Sequence, residues 1–115
     1  MSWNQSLTRS KYHNKPCNVD EHKFPSRREA ERYLVLRSKA ARGEIRNLRL
    51  QVKFQLSDFH RIGDERLERA TYIADFVYEE NGKTVVEDCK GFRTDVYKLK
   101  RKWMYEKYGI LIKET

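Results

Sequence analysis

The run Tyr72-Ile73-Ala74-Asp75-Phe76-Val77-Tyr78-Glu79-Glu80-Asn81-Gly82-Lys83-Thr84-Val85-Val86-Glu87-Asp88-Cys89-Lys90 sets two segments rich in β-branched and aromatic residues on either side of an Asn-Gly pair. Such residues suit a pleated, half-buried ladder, and Asn-Gly tolerates the two positive φ angles of a type I′ turn. The segment therefore reads as a hairpin with strands from Ala70 to Glu80 and from Lys83 to Lys90. A two-residue turn at Asn81-Gly82 makes Glu80 face Lys83, Tyr78 face Val85 and Asp75 face Asp88. Alternation then places Ile73, Asp75, Val77, Val86, Asp88 and Lys90 on one face, and Ala74, Phe76, Tyr78, Val85, Glu87 and Cys89 on the other.

Upstream, Leu48, Leu50, Val52, Phe54 and Leu56 alternate with Arg49, Gln51, Lys53 and Gln55, the pattern of a strand with one buried face. Ser57 to Arg69 is dense in charge and reads as a solvated connection. Ser26 caps a helix, with Glu29 in the capping-box position and Ala30, Tyr33, Leu34, Leu36 and Ala40 on its inner side until Gly43 stops it. Val19 to Phe24, before it, reads as a tight turn or small hairpin. Downstream, a helix from Thr94 to Tyr108 is expected to bury Val96, Leu99, Trp103 and Met104, with Gly109 ending it before a short strand at 110–112. Helix, three strands, helix and strand make an α/β chain with a mixed sheet.

The 115 residues suffice for one domain, expected over 16–115 behind a basic arm at 1–15. That size argues against separate binding and catalytic bodies. Lys and Arg number 25 against 17 Asp and Glu, and the net charge of +8 favours a polyanionic partner, either nucleic acid or an anionic membrane surface. No apolar run approaches the roughly 20 residues that span a bilayer, and the first residues form no signal peptide, so a cytoplasmic location is expected. Cys17 and Cys89 follow no disulfide or zinc pattern and read as reduced thiols.

The chemistry lies in the opposed aspartates. Directly facing side chains sit about 5 Å apart, where two ionised carboxylates repel by roughly 1 kcal/mol in water and 3 kcal/mol at an effective dielectric near 20. Protonation, an intervening lysine or a divalent cation relieves that repulsion. Hard oxygen ligands suit Mg²⁺ or Mn²⁺, and Lys90 stands one strand repeat beyond Asp88. The plainer alternative is an Asp88–Lys90 ion pair with Asp75 bonded to a nearby backbone amide.

These residues resemble the PD-(D/E)XK nuclease superfamily, which has a restriction-endonuclease-like core of helix, three-stranded antiparallel meander, helix and strand. Phe24-Pro25-Ser26-Arg27-Arg28-Glu29-Ala30, Tyr72-Ile73-Ala74-Asp75-Phe76 and Val86-Glu87-Asp88-Cys89-Lys90-Gly91 are similar to a small phage and prophage endonuclease-like family, catalogued as a domain of unknown function. The resemblance implies metal ligation by Asp75, Asp88 and the Cys89 carbonyl, an accessory acidic ligand in Glu29, and Lys90 as the motif lysine. Ala74 stands where the superfamily carries its proline. Gln51 is in the region where related nucleases place a glutamine near the active site. Glu87 belongs to the same acidic string but points away from Asp88 if the turn is read correctly.

The resulting expectation is a metal-dependent DNA endonuclease that uses water as nucleophile, in host cytoplasm if phage-encoded. Branched recombination intermediates such as Holliday junctions are the specific substrate guess, and symmetric cleavage of a junction would require a homodimer. Arg9, Lys11, Lys15, Lys98, Arg101 and Lys102 are the expected phosphate contacts. The rivals are a non-catalytic DNA-binding module on the same fold and a phage assembly protein.

Overall fold

The structure, a computed structural model, describes residues 16–90 and 92–115. The arm expected at 1–15, with Arg9, Lys11 and Lys15, lies outside the described residues. Strands β1 (Cys17–Val19) and β2 (His22–Phe24) form an antiparallel hairpin ahead of helix α1 (Arg27–Ala41). Asp20 and Glu21 turn it with φ of 51° and 65°, and the Asp20 carboxylate accepts bonds from Tyr33 and Arg37 of α1. Ser26 caps α1 as expected, its Oγ accepting from the Glu29 N–H at 3.2 Å.

The rest of the fold is β3 (Arg46–Gln55), a small hairpin of β4 (His60–Ile62) and β5 (Glu65–Leu67), β6 (Thr71–Glu80), β7 (Lys83–Asp88), α2 (Asp95–Tyr108) and β8 (Lys113–Glu114). The central sheet has the order β3-β6-β7-β8, antiparallel except for the β7–β8 pair. The chain is thus of the α/β class, with a mixed sheet and the expected order of helix, three strands, helix and strand. Asn81 and Gly82 have φ of 54° and 76°, and Glu80↔Lys83 and Tyr78↔Val85 pair as the turn dictates. Among the described residues, no helix is long and apolar enough to cross a membrane.

The two helices serve two separate cores. Ala30, Tyr33 and Leu36 of α1 pack with Phe24, Ile45, Phe76 and Tyr78, while Tyr97 and Met104 of α2 pack with Leu56, Tyr72, Ala74, Val77, Val86 and Ile112. Consecutive residues Phe76 and Val77 join different cores, so α1 and α2 cover opposite faces of the sheet.

Strict alternation fails at two levels of that sheet: a bulge between Arg46 and Arg49, where Asn47 has a φ of 56°, and a turnover further along β3. Leu48 and Leu50 pack on the α1 side, but Val52 and Phe54 pack on the α2 side, and Ala74 and Phe76 are divided in the same way. The change falls between the pairs Leu50↔Phe76 and Val52↔Ala74, where Gln51 takes a φ of 53° opposite Asp75. A left-handed residue rotates the following pleat, so both strands turn over there. The single-face readings of the Leu48 strand and of Ala74 are corrected accordingly.

Other expectations also change. Residues 57–69 are not a plain loop but carry the β4–β5 hairpin. The final strand begins at Lys113 rather than at 110, with Ile112 spent on core packing. Leu34 is exposed, as are Val96 and Leu99; α2 buries Tyr97 and Met104, with Trp103 only partly covered. Tyr97 wins the inward position because its ring fills the core while its hydroxyl donates to Glu114 at 2.7 Å.

Glu87 fastens the layers together. It is fully buried, and Arg32 of α1 grips both its oxygens at 2.8 and 2.6 Å. The Tyr78 hydroxyl donates to it as well, and Thr115 adds a bond at 3.3 Å. Burial alone would raise the Glu87 pKa, but the Arg32 and Tyr78 hydrogen bonds outweigh it and hold the carboxyl below its ordinary value. Removing one partner of a buried pair strands the other charge, so Arg32→Ala is expected to cost about 3–5 kcal/mol in urea unfolding. A loss below about 1 kcal/mol would show that the pair does not anchor α1.

Candidate functional site

Glu29 from α1, Asp75 from β6 and Asp88 from the end of β7 are gathered where the sheet turns over. The β6–β7 ladder stops at Phe76↔Glu87, one step short of the expected Asp75–Asp88 pair, which is not formed because Asp75 lies where β6 turns over. Beyond it, the Asp75 side chain takes over the pairing: Oδ2 accepts the Cys89 N–H at 2.9 Å and Oδ1 accepts the Gln51 amide at 3.3 Å. Asp88, only 3% exposed, accepts the Tyr72 hydroxyl at 2.6 Å and pairs with Lys90 at 3.3 Å. Lys90 also lies over the Tyr97 ring, 4.4 Å from its centre. The bonds of the plainer alternative, an Asp88–Lys90 pair and an Asp75–amide bond, are thus both made, although that ion pair is buried on its acidic side.

What a closed salt bridge does not account for is Glu29. Its carboxyl is buried, and its Oε2 has no hydrogen-bond partner among the described residues. No bond runs from it back to the Ser26 amide among those residues, so the capping box is only half formed. Burial first, then the charge of Asp75 and a hydrogen bond shared with it, then Asp88, push the Glu29 pKa up to about 8, against a smaller opposing pull from Lys90. Burial likewise raises Asp88, with Asp75 adding to the rise while Tyr72 and Lys90 oppose it. Three carboxyls therefore share one lysine.

The chemistry of this donor set fits a hard divalent cation, which would supply the missing positive charge and occupy the orphaned oxygen. Among the described residues, no three His, Cys, Asp or Glu groups form a ready-made cage. Mg²⁺ often binds through only one or two carboxylates and completes its shell with water and substrate phosphate. Cys89 is unsuited to nucleophilic work, since burial pushes its thiol up to about 11.

Of the residues singled out from sequence, Glu29, Gln51, Asp75, Asp88, Cys89 and Lys90 come together. Glu87 is spent on Arg32 on the α1 side of β7. Lys98 and Lys102 are exposed on α2, whereas Arg101 turns toward Glu114 at 3.4 Å and is half-buried. Sequence reasoning missed Tyr72, whose hydroxyl braces Asp88, and a cleft lined by His22, Lys23, Arg49 and Gln51 among others. The sequence carried no signal for the brace, because under strict alternation Tyr72 points to the face opposite Asp88.

A family model, DUF1064, described as a protein of unknown function, matches residues 9–114. No curated protein and no solved structure matches the chain.

The crowding predicts a pH signature in chelator-treated protein. Glu29, facing Asp75, Asp88 and Lys90, binds its proton more tightly folded than unfolded, so its contribution to stability falls as pH rises from 4.5 to about 8. Glu29→Gln removes that decline. The variant should melt higher than the parent at pH 8, by roughly 3–5 °C for on the order of 1 kcal/mol, and the gain should vanish toward pH 4.5. A lower melting temperature at pH 8 would mean that Glu29 is a satisfied structural group.

Proposed function

The chain belongs to the DUF1064 family, and we propose that it is a metal-dependent DNA endonuclease of the PD-(D/E)XK type. The observation that carries this reading is the buried Glu29 carboxyl pressed against Asp75 and Asp88, with Lys90 the cation paired to Asp88. Carboxylates from three separate elements, two of them with pKa values raised by burial and mutual proximity, are an arrangement that stability alone disfavours.

In this reading Asp75, Asp88 and the Cys89 backbone carbonyl would hold Mg²⁺ or Mn²⁺, and Glu29 would complete or extend the set. When bound, the cation polarises the scissile phosphate and makes water a stronger acid. The Gln51 amide and the Cys89 N–H fix the rotamer of Asp75. Tyr72 does the same for Asp88, and its bond orients one carboxylate oxygen while Lys90 meets the other. Packing on the Tyr97 ring aims Lys90. From there the ammonium is suited to orient the attacking water and to stabilise negative charge building on the phosphate oxygens. Water is the nucleophile, and no covalent intermediate with the enzyme forms.

Basic residues for phosphate contact stand on both sides of the sheet. Lys23 and Arg49 flank the cleft that opens at Gln51, and Lys98 and Lys102 lie exposed on α2. Lys and Arg contacts to phosphate supply affinity without sequence information, which suits recognition of DNA shape, and branched recombination intermediates remain the substrate of choice. One site per 115-residue chain makes a homodimer the natural form for symmetric incision.

The competing reading is a DNA-binding module without catalysis, favoured by the partners Asp75 and Asp88 already possess within the chain. Purified protein incubated with linear, single-stranded, flap and four-way-junction DNA in Mg²⁺, Mn²⁺ or EDTA separates the two. Asp75→Asn, Asp88→Asn and Lys90→Ala are each expected to lower metal-dependent cleavage at least about 100-fold while retaining most DNA binding. Glu87→Gln should preserve cleavage in its folded fraction. Binding without products under every condition, or unchanged cleavage in Asp75→Asn, would overturn the endonuclease assignment.

A further inference from the structure

The β4–β5 hairpin projects from the domain with residues 58–69 all exposed. Its base is clamped: the amides of Leu56 and Ser57 both donate to the Ala70 carbonyl, at 2.8 and 3.2 Å, and the Ala70 N–H donates to Ser57 Oγ at 3.0 Å. Above that clamp β4 and β5 pair only with each other among the described residues, through His60↔Leu67, Arg61↔Arg66 and Ile62↔Glu65. Exposed strand edges recruit other strands, and proteins usually blunt them with proline, lysine or bulges. The outer edge of β5 and its continuation, Glu65-Arg66-Leu67-Glu68-Arg69, carries no proline or lysine, and its four charges repel a strand in most registers while leaving one in which they pair.

Nucleic acid is a poor occupant for this arm. Residues 58–69 hold Asp58, Asp64, Glu65 and Glu68 against Arg61, Arg66 and Arg69, a slight acidic excess in a chain of net charge +8.

The order of the charges points elsewhere. Laid antiparallel against itself and centred on Leu67, the segment puts Glu65 opposite Arg69, Arg66 opposite Glu68, and Leu67 opposite Leu67. Sliding by one residue in one direction opposes Glu65 to Glu68, and in the other Arg66 to Arg69. Centring on Arg66 or on Glu68 instead sets like charges face to face. Only the Leu67-centred register satisfies all four charged positions, so both attraction and exclusion select it.

The backbone agrees with that register. Ile62 and Glu65 close the two-residue Gly63-Asp64 turn and exchange hydrogen bonds, so ladder alternation leaves the amide and carbonyl of Arg66 pointing away from β4; Glu68 lies just past the end of β5, and docking that extends the strand would turn its amide and carbonyl the same way. Arg66 of one chain then exchanges both bonds with Glu68 of the other. The exposed Leu67, 39% accessible, meets its own copy, with Ile62 of β4 on the same face nearby.

We propose that the β5 edge is a homodimerisation surface, joining two copies of this chain into a continuous four-stranded sheet about a two-fold axis at Leu67. A closed isologous contact consumes the edge and leaves no strand to propagate. The inference rests on strand geometry and charge order, not on the endonuclease assignment, and either can fail without the other.

Sedimentation equilibrium of the full chain tests it, with circular dichroism confirming that each variant is folded. The wild-type protein should dimerise reversibly. Glu65→Arg and Arg69→Glu each set like charges opposite one another twice and should weaken association at least about tenfold. The double variant Glu65→Arg/Arg69→Glu should recover the wild-type constant, and an equimolar mixture of the two single variants should form heterodimers. Because Arg69 also touches Gln55 at 3.4 Å, that rescue separates lost pairing from local disturbance of the hairpin. A monomer at all concentrations, a dimer unaffected by either single variant, or single variants that neither the mixture nor the double variant restores would overturn the proposal.

Discussion

Glu87 and Asp88 are neighbours in β7, both are withdrawn from water, and a strand directs them to opposite sides of the sheet. Burying two adjacent carboxylates is tolerable only if each finds compensation, and the two are compensated in different ways. Glu87 receives a bidentate arginine and a tyrosine hydroxyl, enough to keep it ionised. Asp88 receives a tyrosine and a lysine but also faces Asp75 and, beyond it, Glu29. The first arrangement is a structural fastening between α1 and the sheet. The second has more carboxyls than cations, and that imbalance is what the proposed metal site rests on.

The same region is one of two where the sheet departs from regular pleating. Gln51 in the left-handed region turns β3 over, Ala74 and Phe76 turn β6 over with it, and the β6–β7 ladder opens just beyond Phe76. An opened ladder leaves backbone donors to be satisfied, and the Asp75 carboxylate takes the Cys89 N–H. The distortion thus brings Asp75 between the α1 side, where Glu29 waits, and the α2 side, where Tyr72 and Lys90 hold Asp88. A left-handed backbone and crowded carboxyls at the same place are the physical grounds for proposing a site there, whereas the bulge at Asn47 gathers no such charge.

The hairpin that organises this region was legible in the sequence because Asn81-Gly82 fixes both turn type and register, and register decides which way Glu87 and Asp88 point. The Ser26 cap and Gly109 stop were equally local and equally readable. The turnover at Gln51 was not, because uninterrupted alternation from Leu48 to Leu56 carries no mark of a residue in the left-handed region. The inner side of α2 was misread by counting apolar side chains, whereas Tyr97 and Met104 are chosen by what β6, β7 and β8 offer them. The β4–β5 hairpin escaped notice because its strands bury nothing and so show no hydrophobic period. The missed elements are those specified by tertiary contact or by the backbone, and the recovered ones are those specified by neighbours in sequence.

The central claim is that the carboxyls of Glu29, Asp75 and Asp88 are held close together to take up a divalent cation. Crystals of the protein grown with Mn²⁺ and measured at the manganese absorption edge test it directly. The account predicts an anomalous peak within coordination distance of Asp75 and Asp88, with Glu29 bound to the ion or to a water beside it. A peak elsewhere, or none at the cluster while Glu29 stays protonated against Asp75, would contradict it.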